Sequence, residues 1–468
     1  MTRLIVLFFL FIFASPSRAQ QTVNHGRVIV SANGHFLQHE DGTPFFWLGD
    51  TGWELFHRLN REETELYLEN RRKKGFTLIQ AVILAEFNGL KKPDQYGQTP
   101  LIGLDPDHPN ETYFRWVDTV IRMAAGKNLM MGLLPTWGDK VTLMWGEGPV
   151  IFNVENAYRY GLWLGKRYKD FSNIVWILGG DRPPMNDSMD WRPVWRAMAK
   201  GILEGTDQKA ILTYHTSGGP NTTSTFIHNE SWLSINTMQS GHGSGHDVQV
   251  WEWIARDWSL KPVKPTLDAE PNYEDHPVNP WPTWDSANGY FNDYDVRKQT
   301  YRSVFAGACG VTYGHHSVWQ FWSPREEKVN YADCYWTDAL NRPGAFQVGW
   351  LRYLIESRPQ LNRIPDQGMI LDAKEDKGRQ MVATRSSDGS FAMIYLPYGN
   401  KITVQTNFTK SEKLKAWWFN PRTGKATEIG TLPRKDTMLF IPPTLGFMND
   451  WVLVLDEPAK GFPPPGSG

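Results

Sequence analysis

Between residues 45 and 355 the chain alternates short apolar runs with amphipathic stretches, round after round, and that rhythm leaves few folds open. An apolar run without polar alternation suits a strand covered on both faces, as in a parallel sheet wrapped by helices. Such runs are expected at residues 45–49 (ending at Asp50), 76–84, 129–134, 174–178, 210–215 and 233–238, in the segment that ends at Glu270, and at 309–313. Between them a 3.6-residue periodicity predicts helices at 60–74, 112–126, 154–169, 191–203, 248–258, 294–306 and 343–355. Asn60 reads as the N-cap of the first of these and Gly75 as its stop. Eight such rounds over roughly 310 residues fit an α/β chain folded as a (β/α)8 barrel with enlarged loops. Residues 28–30, with Phe36 and Gln38, form a short β-like lead-in.

The pattern changes after Pro365, where short strand-like runs at 369–371, 380–385, 391–396, 402–405, 414–420, 438–441 and 451–455 are split by turn residues. About seven short strands in about 95 residues suggest an antiparallel β-sandwich. Pro421-Arg422-Thr423-Gly424 reads as the turn of one hairpin. The barrel is thus expected over 20–360, the smaller sandwich over 365–457, and a flexible Pro- and Gly-rich tail over 458–468. At the other end, Arg3, an apolar run over 4–14 and Ser17-Arg18-Ala19 have the order of a secretory signal, so 1–19 is expected to be removed on export to the periplasm or the medium. The apolar run is too short for a membrane anchor, and no later stretch is long and apolar enough to insert. Cys309 and Cys334 are too few for a disulfide scaffold; Cys309 lies in an apolar segment and reads as a buried thiol, with a bridge between the two left open.

Lys+Arg 49 against Asp+Glu 50 leaves no field to draw nucleic acid or an anionic membrane. The 22 Trp, 17 Tyr and 24 Phe are mostly core material, but they also offer flat faces for sugar C–H surfaces.

In a barrel the strand ends at one face converge on one cleft. Asp181 ends the fourth run after Gly179-Gly180, and Glu270 ends the seventh before Pro271. Two carboxyl groups meeting there are what glycosidic-bond hydrolysis needs, one as acid/base and one as nucleophile or second base. Asp181 could equally be an N-cap or a partner for Arg182. Asp268, Glu274 and Asp275 compete with Glu270; Asp268 shares its strand parity and is expected to point inward beside it as a buried support. Asp50, Trp53, Trp137, His215, Asn236 and His315, together with Gln80, Glu86, Asn88 and Gln239, are polar or aromatic candidates for sugar contacts, each of which could instead brace a loop. Asn236 and His315 stand out because they close the sixth and eighth runs, and Trp319 with Trp322 could form a stacking wall. His242 and His246 stand four apart in a glycine-rich stretch that is no helix, so they need not share a face, and no metal or other cofactor is called for. No G-x-S-x-G elbow or phosphate-cradling loop is present.

Phe46-Trp47-Leu48-Gly49-Asp50-Thr51-Gly52-Trp53, Trp176-Ile177-Leu178-Gly179-Gly180-Asp181, Asp268-Ala269-Glu270-Pro271-Asn272-Tyr273-Glu274 and Gly307-Ala308-Cys309-Gly310-Val311-Thr312-Tyr313-Gly314-His315 resemble the apiosidase-like family, glycoside hydrolase family 140. The likeness runs over nearly the whole mature chain, and the tail domain is similar to a β-sandwich that carries a collagen-binding label. The resemblance implies a retaining hydrolase of apiose linkages in the plant pectin rhamnogalacturonan II, with Asp181 as acid/base and Glu270 as nucleophile. Its partner would then be a plant cell-wall oligosaccharide or polysaccharide. Two other readings stay open: the same mechanism on another glycan, of galactosidase or arabinofuranosidase type, and a non-catalytic carbohydrate- or collagen-binding surface protein. The last predicts a broken carboxylate pair, whereas both carboxylates are present here.

Overall fold

The structure, a computed structural model, describes residues 25–372 and 376–467; the signal-like segment 1–19 lies outside the described residues. Eight strands form one parallel sheet: β1 (Trp47–Thr51), β2 (Leu78–Leu84), β3 (Met130–Thr136), β4 (Ile174–Gly179), β5 (Leu212–His215), β6 (Asn236–Gln239), β7 (Thr266–Glu270) and β8 (Gly310–Tyr313). β1 lies between β2 and β8, and the order runs on through the sheet to β5 at one end and β6 at the other. Side-chain hydroxyls stitch these two ends together: Thr213 Oγ1 donates to Ile235 O at 2.8 Å and Thr237 Oγ1 donates to Tyr214 O. The sheet is thereby closed into a barrel.

Helices α1 (Arg61–Lys73), α2 (Glu111–Ala125), α3 (Val154–Tyr168), α4 (Arg192–Gly205), α5 (Thr223–Ile227), α6 (Val250–Trp258), α7 (Asp293–Phe305) and α8 (Pro343–Glu356) each follow a strand. The double-faced burial expected of parallel strands is plain along β2. Leu78 and Val82 pack inside the barrel with Val175, Ile177 and Leu267, while Ile79, Ala81 and Ile83 pack outward against Tyr113, Phe114 and Val117 of α2. Asn60 caps α1 through a reciprocal box with Glu63, as its position in the sequence implies.

Two strand boundaries differ from expectation in ways that move candidate residues. The first barrel strand starts at Trp47, because Pro44–Phe45 instead pairs antiparallel with Leu37–His39, which pairs with Val28–Val30. Phe36, Leu37 and Phe45 then plug the barrel beneath Trp47 and Met130. The sixth strand is Asn236–Gln239, later than the expected 233–238.

The C-terminal region folds as a sandwich. A six-stranded antiparallel sheet runs Arg363–Pro365, Val382–Ser386, Phe391–Leu396, Trp451–Asp456, Lys413–Asn420, Lys425–Pro433, and a two-stranded sheet pairs Ile402–Gln405 with Thr437–Phe440. The edge strand Lys425–Pro433 escaped the sequence reading since it buries no residue fully and so shows no apolar run. The expected strand at 369–371 is only a bridge between Ile370 and Val404 after a 3₁₀ turn. The Pro421–Gly424 turn forms as expected, with Gly424 at φ 70°.

The sandwich is clamped to α7: Tyr301 stacks on Tyr395 at 4.9 Å, and the buried Arg297 pairs with buried Asp450 at 2.9 Å. Arg358, just past α8, pairs with Asp456 at 2.7 Å. The tail expected to be flexible is seated on the body over its described part. Phe462 packs at 6.3 Å against Phe391 under the Arg358 guanidinium, and Gly466 N donates to Ser357 Oγ at 3.3 Å. Cys309 and Cys334 are free thiols, and burial pushes Cys309 up to about 12. Among the described residues no helix is long and apolar enough to cross a membrane.

Candidate active site

β4 delivers Asp181 to the mouth of the barrel through a left-handed turn, with φ 85° at Gly179, 113° at Gly180 and 54° at Asp181. A side chain would not fit before it: a Cβ at Gly179 would meet His215 O at 2.3 Å, and one at Gly180 would meet Gly138 N at 2.8 Å. The backbone N–H of Asp181 donates to His215 Nδ1 at 3.4 Å, and Oδ1 lies 3.7 Å from the same nitrogen. With Nδ1 accepting, the imidazole proton resides on Nε2, which lies 2.8 Å from Glu270 Oε2.

Glu270 reaches this point because β7 does not keep its register. Asp268 pairs with Met238 but Glu270 with Gln239, so one extra residue bulges out between them. Gln80 Nε2, inside the barrel, donates to Ala269 O at 3.0 Å and fixes the bulge. The bulge breaks the parity that was expected to turn Asp268 and Glu270 the same way. Asp268 faces the helix layer, where Ser240 and Ser303 hydroxyls donate to it at 2.8 and 2.9 Å. It is the buried support expected of it, but on the other side of the sheet from the cleft.

The other rivals are also engaged elsewhere. Glu274 accepts from Tyr313 Oη at 2.6 Å and from Gly344 N at 3.1 Å. Asp275 is held by His315 at 3.1 Å and Arg342 at 2.7 Å. Of the four carboxylates, Glu270 is the one that meets Asp181.

A second imidazole completes the cradle of Glu270: His242 Nε2 lies 3.0 Å from Oε1. His242 adopts φ 70°, is held by its own N–H to Asn272 Oδ1 at 2.6 Å, and stacks on His276 at 4.2 Å. Tyr273 packs edge-on to the same ring at 4.3 Å, and its buried hydroxyl faces Glu270. Neither His242 nor Tyr273 was singled out as a sugar or carboxylate contact from the sequence. Their signal was available in the histidine-glycine run and in the residue three beyond Glu270, but nothing local said that they would meet.

One carboxylate oxygen of Asp181, a nitrogen of His215 and one carboxylate oxygen of Glu270 lie within 4.8 Å of one another. Burial and then the Glu270 charge push the Asp181 carboxyl up to about 6. Burial also pulls Glu270 upward, yet contact with His215 and the hydrogen bond with His242 prevail and hold it below the usual carboxylate range. The pair is polarised, with a proton favoured on Asp181 and a charge on Glu270. Glu86, at the end of β2, adds a third carboxyl, raised well above its ordinary value by burial and by Glu54 and Asp181.

The remaining sequence candidates divide. Trp53 and Trp137 bracket His215 at 5.3 and 6.1 Å, so they hold the imidazole that links the carboxyls. Trp319, 8% exposed, closes the floor beside Phe87. Three expectations need correction. Asp50 points outward from β1, and its carboxylate accepts from Tyr67 Oη at 2.5 Å and Arg71 Nε at 2.7 Å, fully buried. Asn236 opens β6 instead of closing it, so it lies at the opposite end of the barrel from the cleft, against His228. His315 is fully buried and tied to Asp275, a loop brace.

Asp275, His315 and Cys334 also bring three potential metal ligands within 4.8 Å. His315 Nδ1 accepts from Ser317 N at 3.0 Å, which leaves Nε2 protonated toward Asp275, and Arg342 already supplies a cation there. His242 and His246 part company, the latter pairing with Asp295 at 3.0 Å.

The profile of the apiosidase-like catalytic domain matches residues 31–362, and that of the "Putative collagen-binding domain of a collagenase" matches residues 364–456. No curated protein matches the chain. Among solved structures, one described as a glycoside hydrolase is 35% identical, with a TM-score of 0.84 over 93% of this chain and 98% of its own. A glycoside hydrolase family 5 structure from Bacteroides vulgatus is 32% identical, with a TM-score of 0.84 over 93% of each chain. A third structure from the same species, at 15% identity and a TM-score of 0.65 over 94% of this chain, shares the fold.

Proposed function

We propose that this chain, which belongs to the apiosidase-like family of glycoside hydrolases, is a retaining enzyme that cleaves apiose linkages in the plant pectin rhamnogalacturonan II. The observation that supports the mechanism is that one oxygen of Asp181 and one of Glu270 lie within 4.8 Å of each other with His215 in contact with both, which favours the shorter of two separations. Retention uses carboxyls about 5–5.5 Å apart, whereas inversion needs about 6.5–9.5 Å to admit a water between them.

In the first displacement Glu270 attacks the anomeric carbon and the glycosidic C–O bond breaks. Asp181 gives its proton to the departing oxygen, which leaves a glycosyl ester on Glu270 and a carboxylate on Asp181. Asp181 then takes a proton from water, the hydroxide adds to the anomeric carbon, and the ester bond to Glu270 breaks. Both carboxyls return to their starting states. His215 and His242 hold Glu270 ionised and aimed before each attack, and they receive its carboxylate again when the ester breaks. His215 also feels the charge that appears on Asp181 after the first step, being in contact with both carboxyls.

Apiose as the sugar rests on the family likeness, and a galactose- or arabinofuranose-type glycan is the alternative on the same machinery. The order of the first residues supports export, so the enzyme would meet cell-wall polysaccharide outside the cytoplasm. The deciding experiment is sugar release from rhamnogalacturonan II by the wild type beside Asp181→Ala and Glu270→Ala. Release of an apiose-ended product by the wild type alone is the expected result. Turnover of a different glycan, lost in both variants, would discard apiose and keep the mechanism. Full activity in either variant would refute the assigned pair.

A further inference from the structure

The loop that leaves β3 carries three consecutive large apolar residues into solvent: Leu143 is 57% exposed, Met144 38% and Trp145 46%. The loop is not slack. It is seated on a fully buried Asp139–Lys140 ion pair of 2.8 Å, with Gly148 N donating to Asp139 Oδ2 at 2.9 Å. Ile151 N returns to Lys140 O at 2.9 Å, and Gly146, at φ 91°, could not carry a Cβ without meeting Arg182 Nη2 at 2.8 Å. Such bracing holds an apolar indole in water when it could collapse onto the body.

Arg182 sets the direction. Its guanidinium lies over the Trp145 ring at 4.1 Å and donates to Trp145 O at 2.5 Å and to Asp181 O at 3.1 Å. Arg182 is 1% exposed, and its Nε is buried without a partner. One indole face is therefore occupied by a buried cation while the residue keeps 46% of its surface exposed, a single guanidinium away from the backbone of Asp181. A proton donor must stand on the leaving-group side of the scissile bond.

We propose that Trp145 is a stacking platform for the saccharide ring on the leaving-group side of the cleaved bond, with Arg182 as the positioning residue that ties its orientation to Asp181. The inference rests on the glycosidase reading and adds to it: the substrate must continue for at least one ring beyond the bond that is cut. An aromatic face anchored on one side offers area for sugar C–H contact with little entropy to lose, as at other binding hot spots.

The test compares an oligosaccharide substrate with the glycosyl fluoride of the same released sugar, whose leaving group is one atom and never reaches Trp145. Trp145→Ala is expected to lower the ratio of oligosaccharide to fluoride kcat/KM roughly tenfold, carried mainly by KM, since losing one stacking anchor weakens binding by about that factor. In the inactive Glu270→Ala background, the affinity for intact rhamnogalacturonan II oligosaccharide, followed by tryptophan fluorescence, should fall by a similar factor when Trp145→Ala is added. An unchanged ratio, equal losses on both substrates, or equal affinity with and without Trp145 would each overturn the proposal. If the wild type cut neither substrate, the glycosidase reading would fail; a titration that still depended on Trp145 would then keep it as a sugar platform but overturn its assignment to a leaving-group side.

Discussion

Removing the imidazole of His242 tests how the site keeps its two carboxyls apart in charge. Glu270 is 5% exposed at its side chain and would prefer to be neutral; His242 at 3.0 Å and His215 at 2.8 Å are what keep it ionised. A hydrogen bond to a charged group contributes about 1.5–3 kcal/mol. At 1.36 kcal/mol per pH unit, His242→Ala should raise the Glu270 titration by roughly 1–2 pH units. The sign follows from which form the bond favours: the carboxylate loses a partner, so it takes up a proton at higher pH. In the wild type Glu270 lies below the usual range, and activity between pH 4 and 6 should show no acid limb, only the fall above about 6 as Asp181 loses its proton. In His242→Ala the acid limb should move up by that amount while the alkaline limb stays near its old place, narrowing the bell in kcat/KM. The rate at the optimum should fall about tenfold, the equivalent of about 1.4 kcal/mol of lost aim. His242→Gln, which keeps an N–H donor, should recover part of both effects. The assay is kcat/KM against pH from about 2 to 8 on whichever glycan the wild type cleaves, with circular dichroism to confirm the fold at each pH. If the acid limb of His242→Ala overlaid that of the wild type, the His242 imidazole would not be what holds the Glu270 charge.

Two further outcomes follow from buried charge outside the chemistry. Arg71→Met strands the fully buried Asp50 carboxylate and should cost about 3–5 kcal/mol in urea-unfolding free energy, whereas a merely sugar-binding Asp50 would leave stability unchanged. Burial raises Asp268 to about 7, so the folded chain holds a proton that the unfolded chain releases near 4; stability should therefore fall as pH rises from about 4 to 7, by at most about 4 kcal/mol. Asp268→Asn should flatten that slope in melts taken across the window, and an unaltered slope would assign it to Glu54 and Glu274, which burial also raises to about 7.

What the sequence determined by itself was whatever depends on local pattern. Apolar runs buried on both faces and helices with one apolar stripe specify a covered parallel sheet, because no other packing removes both kinds of surface from water. Asp181 was legible as a strand-end residue, since Gly179-Gly180 allows the left-handed turn that the structure uses to carry the next side chain to the cleft. Asp50 could have been set aside by counting: it alternates with Trp47 and Gly49, whose side faces the barrel interior, so it had to face the helices.

Glu270 against Asp268 could not be settled by counting, since the β7 bulge exists only because β6, Gln80 and Ala269 meet in space. Asn236 was misplaced by a shift of a few residues in one strand start, which exchanges one end of a barrel for the other. The cradle of His215 and His242, the clamp of the sandwich on α7, and the guanidinium between Trp145 and Asp181 join residues from distant parts of the chain. Such contacts have no period and no local signature. They are fixed only when the closed barrel brings different loops to one rim, where a hydrogen bond of about 3 Å decides which carboxyl carries the proton.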